Sequence, residues 1–86
     1  MNDFETRVEA TTQLLLSAAR EAGVFVSGDW RISERDAAPL IGYTNPDSLK
    51  NARYEGRAPT HCHRNGRVTY RLCDLARWIE EGMVDK

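Results

Sequence analysis

The stretch from Thr44 to Arg57, TNPDSLKNARYEGR, decides how the whole chain is read. Asn45 can cap a helix, and Pro46 suits the first helical position, where no N–H is needed. Gly56 suits the left-handed conformation that ends a helix. Between these signals only Leu49 and Ala52 are plainly apolar, so one narrow face is buried. Ser48, Lys50, Asn51, Arg53 and Tyr54 leave a polar surface rich in hydrogen-bonding groups. A helix of about ten residues is barely stable alone, so its neighbours must hold it.

The upstream neighbour is a second short helix. Ser33 caps it, with Asp36 three residues on as a variant capping box, and Ala37, Ala38, Leu40 and Ile41 are available to a core. Pro39 removes one backbone bond, so this helix should be short or kinked. Gly42 ends it, and Tyr43-Thr44-Asn45 turns tightly into the polar helix. Helix, glycine-containing turn and polar second helix form a helix-turn-helix pattern.

Downstream, Arg57-Ala58-Pro59 leaves the helix extended. Residues 60–64 and 67–71 read as two strands around Asn65-Gly66, a strong hairpin signal. A two-residue turn pairs 64 with 67 and puts His61, His63, Val68 and Tyr70 on one face. A three-residue loop pairs 64 with 68 and groups Cys62, Arg64, Val68 and Tyr70 instead. One residue of slip exchanges the two faces. The chain closes with a helix from Asp74 to Glu81, whose apolar face is Leu75, Trp78 and Ile79.

Ahead of this region, residues 3–22 predict the longest helix, capped by Asp3 and ended by Gly23. Phe4, Val8, Thr11, Leu15, Ala18 and Ala22 trace a narrow seam, with Leu14 and Leu16 beside it. Packing within the domain and homodimerisation through residues 3–22 both fit that seam. Residues 24–32 form a connection or short strand, in which Trp30 and Ile32 alternate with Arg31 and Trp30 is most simply core. The chain divides into an N-terminal helical extension, 1–23, and a domain, 24–86.

At 86 residues, with 41% hydrophobic and 29% charged, this is one ordinary globular domain with a modest core. The net charge of −1 conceals an uneven distribution. Residues 1–49 carry four arginines against eight acids, whereas residues 50–71 carry six bases against Glu55 alone. Residues 72–86 carry two bases against four acids. A basic stripe coinciding with the polar helix and the hairpin is an electrostatic footprint for a polyanion. No apolar run crosses a membrane and no signal-peptide pattern opens the chain. Two cysteines, Cys62 and Cys73, suit a reducing cytoplasm. His61-Cys62-His63 lacks zinc-ligand spacing, so no metal and no cofactor are expected. No phosphate loop, nucleophile elbow or paired-carboxylate pocket is visible, and the expectation is not an enzyme.

The ordered set Ala37-Ala38, Leu40-Ile41-Gly42, Ser48-Leu49-Lys50-Asn51, Gly56-Arg57-Ala58-Pro59, Gly66 to Arg71, and Asp74-Leu75 with Trp78-Ile79 resembles a known family. It is similar to the MerR-like winged-helix DNA-binding domains of the excisionase and AlpA type, over about residues 31–81. Pro39, Ala52 and Arg64 depart from that pattern. The resemblance implies a mainly α fold with a small β-hairpin, a winged helix-turn-helix preceded by an extra N-terminal helix. It implies a sequence-specific DNA-binding protein of a bacterial cytoplasm, either an excisionase or a small transcriptional regulator. An integrase or RNA polymerase would be its further partner.

In that reading residues 46–55 enter the major groove and the wing, about 60–71, follows the backbone or minor groove. Thr44 and Asn45 present hydroxyl, amide and N–H groups to phosphate. Ser48, Lys50, Asn51 and Tyr54 reach base edges, Asn suiting adenine and Lys suiting guanine. Arg53, Arg57, His63, Arg64, Arg67 and Arg71 complete the expected double-stranded DNA contacts. The resemblance favours the three-residue wing loop, because relatives carry apolar residues at positions 62 and 64. The alternative function is a protein-interaction module that uses the scaffold and its acidic N-terminal helix to bind a partner.

Overall fold

Local capping chemistry determines where the elements begin and end. The computed structural model describes residues 3–83. Its elements in order are α1 (Asp3–Glu21), β1 (Arg31–Ser33), α2 (Glu34–Leu40), α3 (Pro46–Tyr54), β2 (Cys62–Arg64), β3 (Arg67–Arg71) and α4 (Leu72–Glu81). The domain is mainly helical with a small antiparallel sheet. Ser33 accepts a hydrogen bond from the Asp36 N–H at 3.1 Å, and Asn45 accepts one from the Asp47 N–H at 2.9 Å. Both caps work as their sequences predict. Pro39 sits one residue from the end of the seven-residue α2, where the helix is closing anyway.

The end of α3 shows why Gly56 is there. Arg57 N–H bonds the Ala52 carbonyl at 2.8 Å, and Gly56 N–H bonds the Arg53 carbonyl at 3.1 Å. That pair of bonds requires a left-handed residue between them, and Gly56 has φ +74°.

The sheet has three strands in the order β1-β3-β2, so the expected hairpin gains an outer partner. Ile32 pairs with Tyr70, and Arg31 with Arg71. The hairpin register corrects the three-residue loop that the resemblance favours. Arg64 pairs with Arg67, His63 with Val68, and Cys62 with Thr69. Asn65 and Gly66 both have positive φ, 54° and 75°. These are the angles of a two-residue type I′ turn, which matches the strand twist and leaves no room for a third loop residue. Local turn chemistry outweighs the pattern of apolar positions.

One face of the sheet packs on the helices. Ile32 and Tyr70 are buried there with Ala37 and Ala38 of α2, Leu49 of α3, and Leu72, Leu75 and Ala76 of α4. The N-terminal helix shares this core. Val8, Leu15 and Leu16 join the same cluster, and α1 runs along α4. Arg7 and Thr11 both bond Glu80, at 3.2 and 2.8 Å, and Arg77 pairs with Glu5 at 2.8 Å.

The buried face of α1 is Val8, Thr12, Leu15, Leu16 and Ala19. It departs from the expected seam, whose Ala22 is exposed and whose Thr11 and Ala18 are half-buried. A straight helix packed on a core keeps the 3.6-residue period, whereas the expected seam had the shorter coiled-coil period. The structure covers this face with α4 of the same chain.

Two further expectations are corrected. Trp30 is not core: it closes a turn by donating to the Ser27 carbonyl at 2.9 Å and has φ 60°. That rotation takes its indole out of the strand alternation and leaves it 36% exposed. The last helix starts at Leu72, two residues before the expected Asp74. Its first N–H is satisfied by the Trp30 carbonyl at 2.9 Å, and no side chain caps the helix.

Candidate nucleic-acid interface

Helix α3 presents the surface its sequence implies. Leu49 and Ala52 are fully buried, while Thr44, Asn45, Asp47, Lys50, Asn51 and Tyr54 are exposed and Ser48 is half-buried. Tyr54 is 70% exposed and lies between cations, with Lys50 Nζ 5.9 Å and Arg53 Cζ 4.9 Å from its ring centre. The entrance to α3 meets the start of α2 in a depression of ≈ 370 Å³ lined by Glu34, Arg35, Asn45, Pro46, Asp47 and Lys50.

Two arginines of the basic stripe, Arg53 and Arg57, are already paired with carboxylates of the same chain. Arg53 grips Glu34 with Nε at 2.7 Å and Nη2 at 3.2 Å. The Tyr70 hydroxyl donates to the same carboxylate at 2.9 Å. Both side chains of the ion pair are largely covered, so Arg53 anchors α3 to α2 and β3. Burial works to raise the Glu34 carboxyl, and the bonds from Arg53 and Tyr70 outweigh it and hold it below the ordinary value. Burial and the bond to Glu34 push the Tyr70 phenol above its ordinary value. Arg57 pairs with Glu55 on the surface, donating from Nε at 2.9 Å.

The hairpin register sorts the remaining expected contacts onto two sides. His63 shares the helix-facing side of the sheet with Val68 and Tyr70, and the His61 ring lies 5.7 Å from the Tyr70 ring, tilted 50° to it. Arg64, Arg67 and Arg71 lie on the opposite, outer side. Among the described residues none of these three side chains has an ion-pair or hydrogen-bond partner.

Arg31 joins them from β1, outside the basic stripe seen in sequence. Its Nε bonds Asp29 at 2.8 Å, and its Nη1 reaches across β3 to Thr69 Oγ1 at 3.3 Å and Cys62 Sγ at 3.9 Å. Bonds from Ser27 and Arg31 hold the Asp29 carboxyl down to about 2. The sequence signal for Arg31 was its alternation with Ile32, which puts it on the strand face away from the core. Glu34 carried no signal as an anchor, because its partners lie 19 and 36 residues away.

No family model matches this chain, and no curated protein or solved structure matches it either. The arrangement must therefore be judged on its own chemistry. Cys62 and Cys73 are free thiols, and among the described residues no three His, Cys, Asp or Glu side chains gather to hold a metal. Among those residues no helix is long and apolar enough to cross a membrane. What the surface offers is hydrogen-bonding groups on a capped helix beside unpaired guanidinium groups on a hairpin.

Proposed function

We propose that this chain is a sequence-specific double-stranded DNA-binding protein of the cytoplasm, with a winged helix-turn-helix architecture. It acts as an excisionase or a small transcriptional regulator, not as an enzyme. Helices α2 and α3 are the helix-turn-helix, and β2–β3 is the wing. The observation that carries the reading is the anchoring of α3. A helix whose outer face is Lys50, Asn51 and Tyr54 is tied through Arg53 to Glu34 and Tyr70, beside a hairpin tipped by Arg64 and Arg67. Polar side chains held on a fixed helix suit base-edge readout, and flexible cations at a hairpin tip suit phosphate.

In this reading Ser48, Lys50, Asn51 and Tyr54 face bases, and Thr44 and Asn45 approach phosphate at the helix start. Asp47 remains solvated at the positive end of the helix. Arg53 sets the angle of the helix, and Arg57 is free for phosphate only when it leaves Glu55. Selection from random duplexes, followed by mobility shift over a salt series, tests the function. Affinity should fall steeply with salt as counterions are released. Salt-independent binding, or none, would refute it.

The exposed Leu14, at 69%, and Phe25, at 80%, favour a second reading in which these apolar side chains dock a protein. An integrase, an RNA polymerase or a second copy through residues 3–22 would be that partner. Pull-down with surface variants at Leu14 and Phe25 separates this reading from DNA binding.

A further inference from the structure

We propose that the outer face of the sheet holds the phosphate backbone of a second duplex segment, distinct from the segment that α3 faces. This rests on the DNA-binding reading and extends it from one contact surface to two. The strand register puts Arg31, Arg64, Arg67 and Arg71 on a single face. Ile32 and Tyr70, on the other face, are fully buried against the helices. The arginine face is therefore turned away from the side on which α3 is anchored.

The four cations form one continuous surface. A depression of ≈ 360 Å³ includes Arg31, Arg64 and Arg71 together with the acids Asp29 and Asp74, and one of ≈ 450 Å³ includes Arg31, Arg64 and Arg67 with no acid. Arg31 lies across all three strands, bonded to Asp29 and Thr69 and touching Cys62, which gives the surface a preformed centre. Arg64, Arg67 and Arg71 keep their donors unused among the described residues. Guanidinium forks match phosphate oxygens better than isolated ammonium groups do.

Position and charge both argue for a separate segment. Arg64 and Arg67 flank the turn at the hairpin tip. Arg31 and Arg71 pair at the opposite end of the strands. The four residue steps from Arg67 to Arg71 span about 13 Å, the axial rise of about four nucleotides of one strand. Meanwhile the exposed face of α3 contributes Lys50 against Asp47, since Arg53 and Arg57 are already paired. On the sheet Arg31 is likewise paired with Asp29, and Arg64, Arg67 and Arg71 are the side chains left without an ion-pair partner among the described residues, so more unpaired positive charge lies there than on α3.

The test is a bridging assay with the full chain. A duplex carrying the selected site is immobilised, protein is bound, and a fluorescent duplex of unrelated sequence is offered. Wild type should capture the second duplex. Arg71→Gln, whose side chain has no partner to lose, should reduce capture about tenfold, and Arg71→Lys should restore most of it. Arg31→Gln with Arg71→Gln should make the salt dependence of capture shallower by about two units. Circular dichroism confirms that each variant is folded. A chain that binds no duplex at all refutes the DNA-binding reading itself. One that binds the first duplex but captures no second overturns this proposal alone. Capture unchanged in the double variant, or retention of polyglutamate instead of duplex, overturns it as well.

Discussion

Arg53 of α3 and Glu34 of α2 are joined by paired contacts of 2.7 and 3.2 Å, and Tyr70 of β3 completes the cluster on the same carboxylate. Three elements of the proposed DNA-binding surface thus meet at one charged group. Glu34→Gln leaves Arg53 charged in a covered site with a weaker acceptor. It should lower stability by about 2 kcal/mol, a fall of roughly 10 °C in Tm for a domain of this size. Thermal denaturation measures the loss. If the cluster sets the angle of α3, discrimination between selected and random duplexes should fall further than affinity for random duplexes.

The same cluster shapes the pH dependence of stability. A carboxyl held low in the folded chain contributes stability above its unfolded value near 4.5, and loses it as pH falls through the folded value. Melting temperatures of the wild type should therefore drop more steeply below about pH 4.5 than those of Glu34→Gln. Tyr70 supplies the opposite limb. Its raised value stabilises the neutral phenol below about pH 10, and that contribution is lost as the solution becomes more alkaline. Tyr70→Phe should flatten the alkaline limb.

Gly56→Ala should cost about 1 kcal/mol, because φ +74° is unfavourable for any residue with a Cβ. No atom lies within 4 Å of the added carbon, so the cost is conformational and not steric. Gly28→Ala, with open space and no positive φ, should change stability by less than about 0.5 kcal/mol. Denaturant titration of the two variants distinguishes them.

Leu16 and Leu14 are two residues apart on α1 and should behave oppositely. Leu16 is 5% exposed in the shared core, whereas Leu14 is 69% exposed. Leu16→Ala should cost about 2–4 kcal/mol and Leu14→Ala almost nothing. Removal of residues 1–23 should abolish cooperative unfolding, since α1 packs along α4 and contributes Val8, Leu15 and Leu16 to the shared core. A truncated chain that melts as sharply as the full one would refute the shared core.

On DNA, Lys50→Ala and Asn51→Ala should blur base preference and leave affinity for random duplex nearly intact. Arg67→Ala should weaken all duplexes alike and make the salt slope shallower by about one unit. Binding measured on selected and scrambled sequences at several salt concentrations separates these outcomes.

Much of the fold was legible because its signals are local. Asn45 with Pro46, Ser33 with Asp36, and Gly23, Gly42 and Gly56 mark helix ends through bonds made within a few residues. Asn65-Gly66 specified its own turn, and the family resemblance pointed to the wrong loop length. The polar face of α3 was equally readable, since 3.6-residue periodicity separates Leu49 and Ala52 from Lys50, Asn51 and Tyr54.

What sequence by itself determined, then, was the order of the elements, the caps of α2 and α3, and which side of α3 stays wet. Tertiary structure alone decided how the charges are used. Arg53 is committed to Glu34, Arg57 is held by Glu55, and Arg31 is added to Arg64, Arg67 and Arg71 across the sheet. It also decided that Trp30 stays outside the core while Leu16 and Ala19 enter it. The physical reason is range. A cap or turn is satisfied by neighbours along the chain, whereas an ion pair or a strand register depends on groups that only folding brings together.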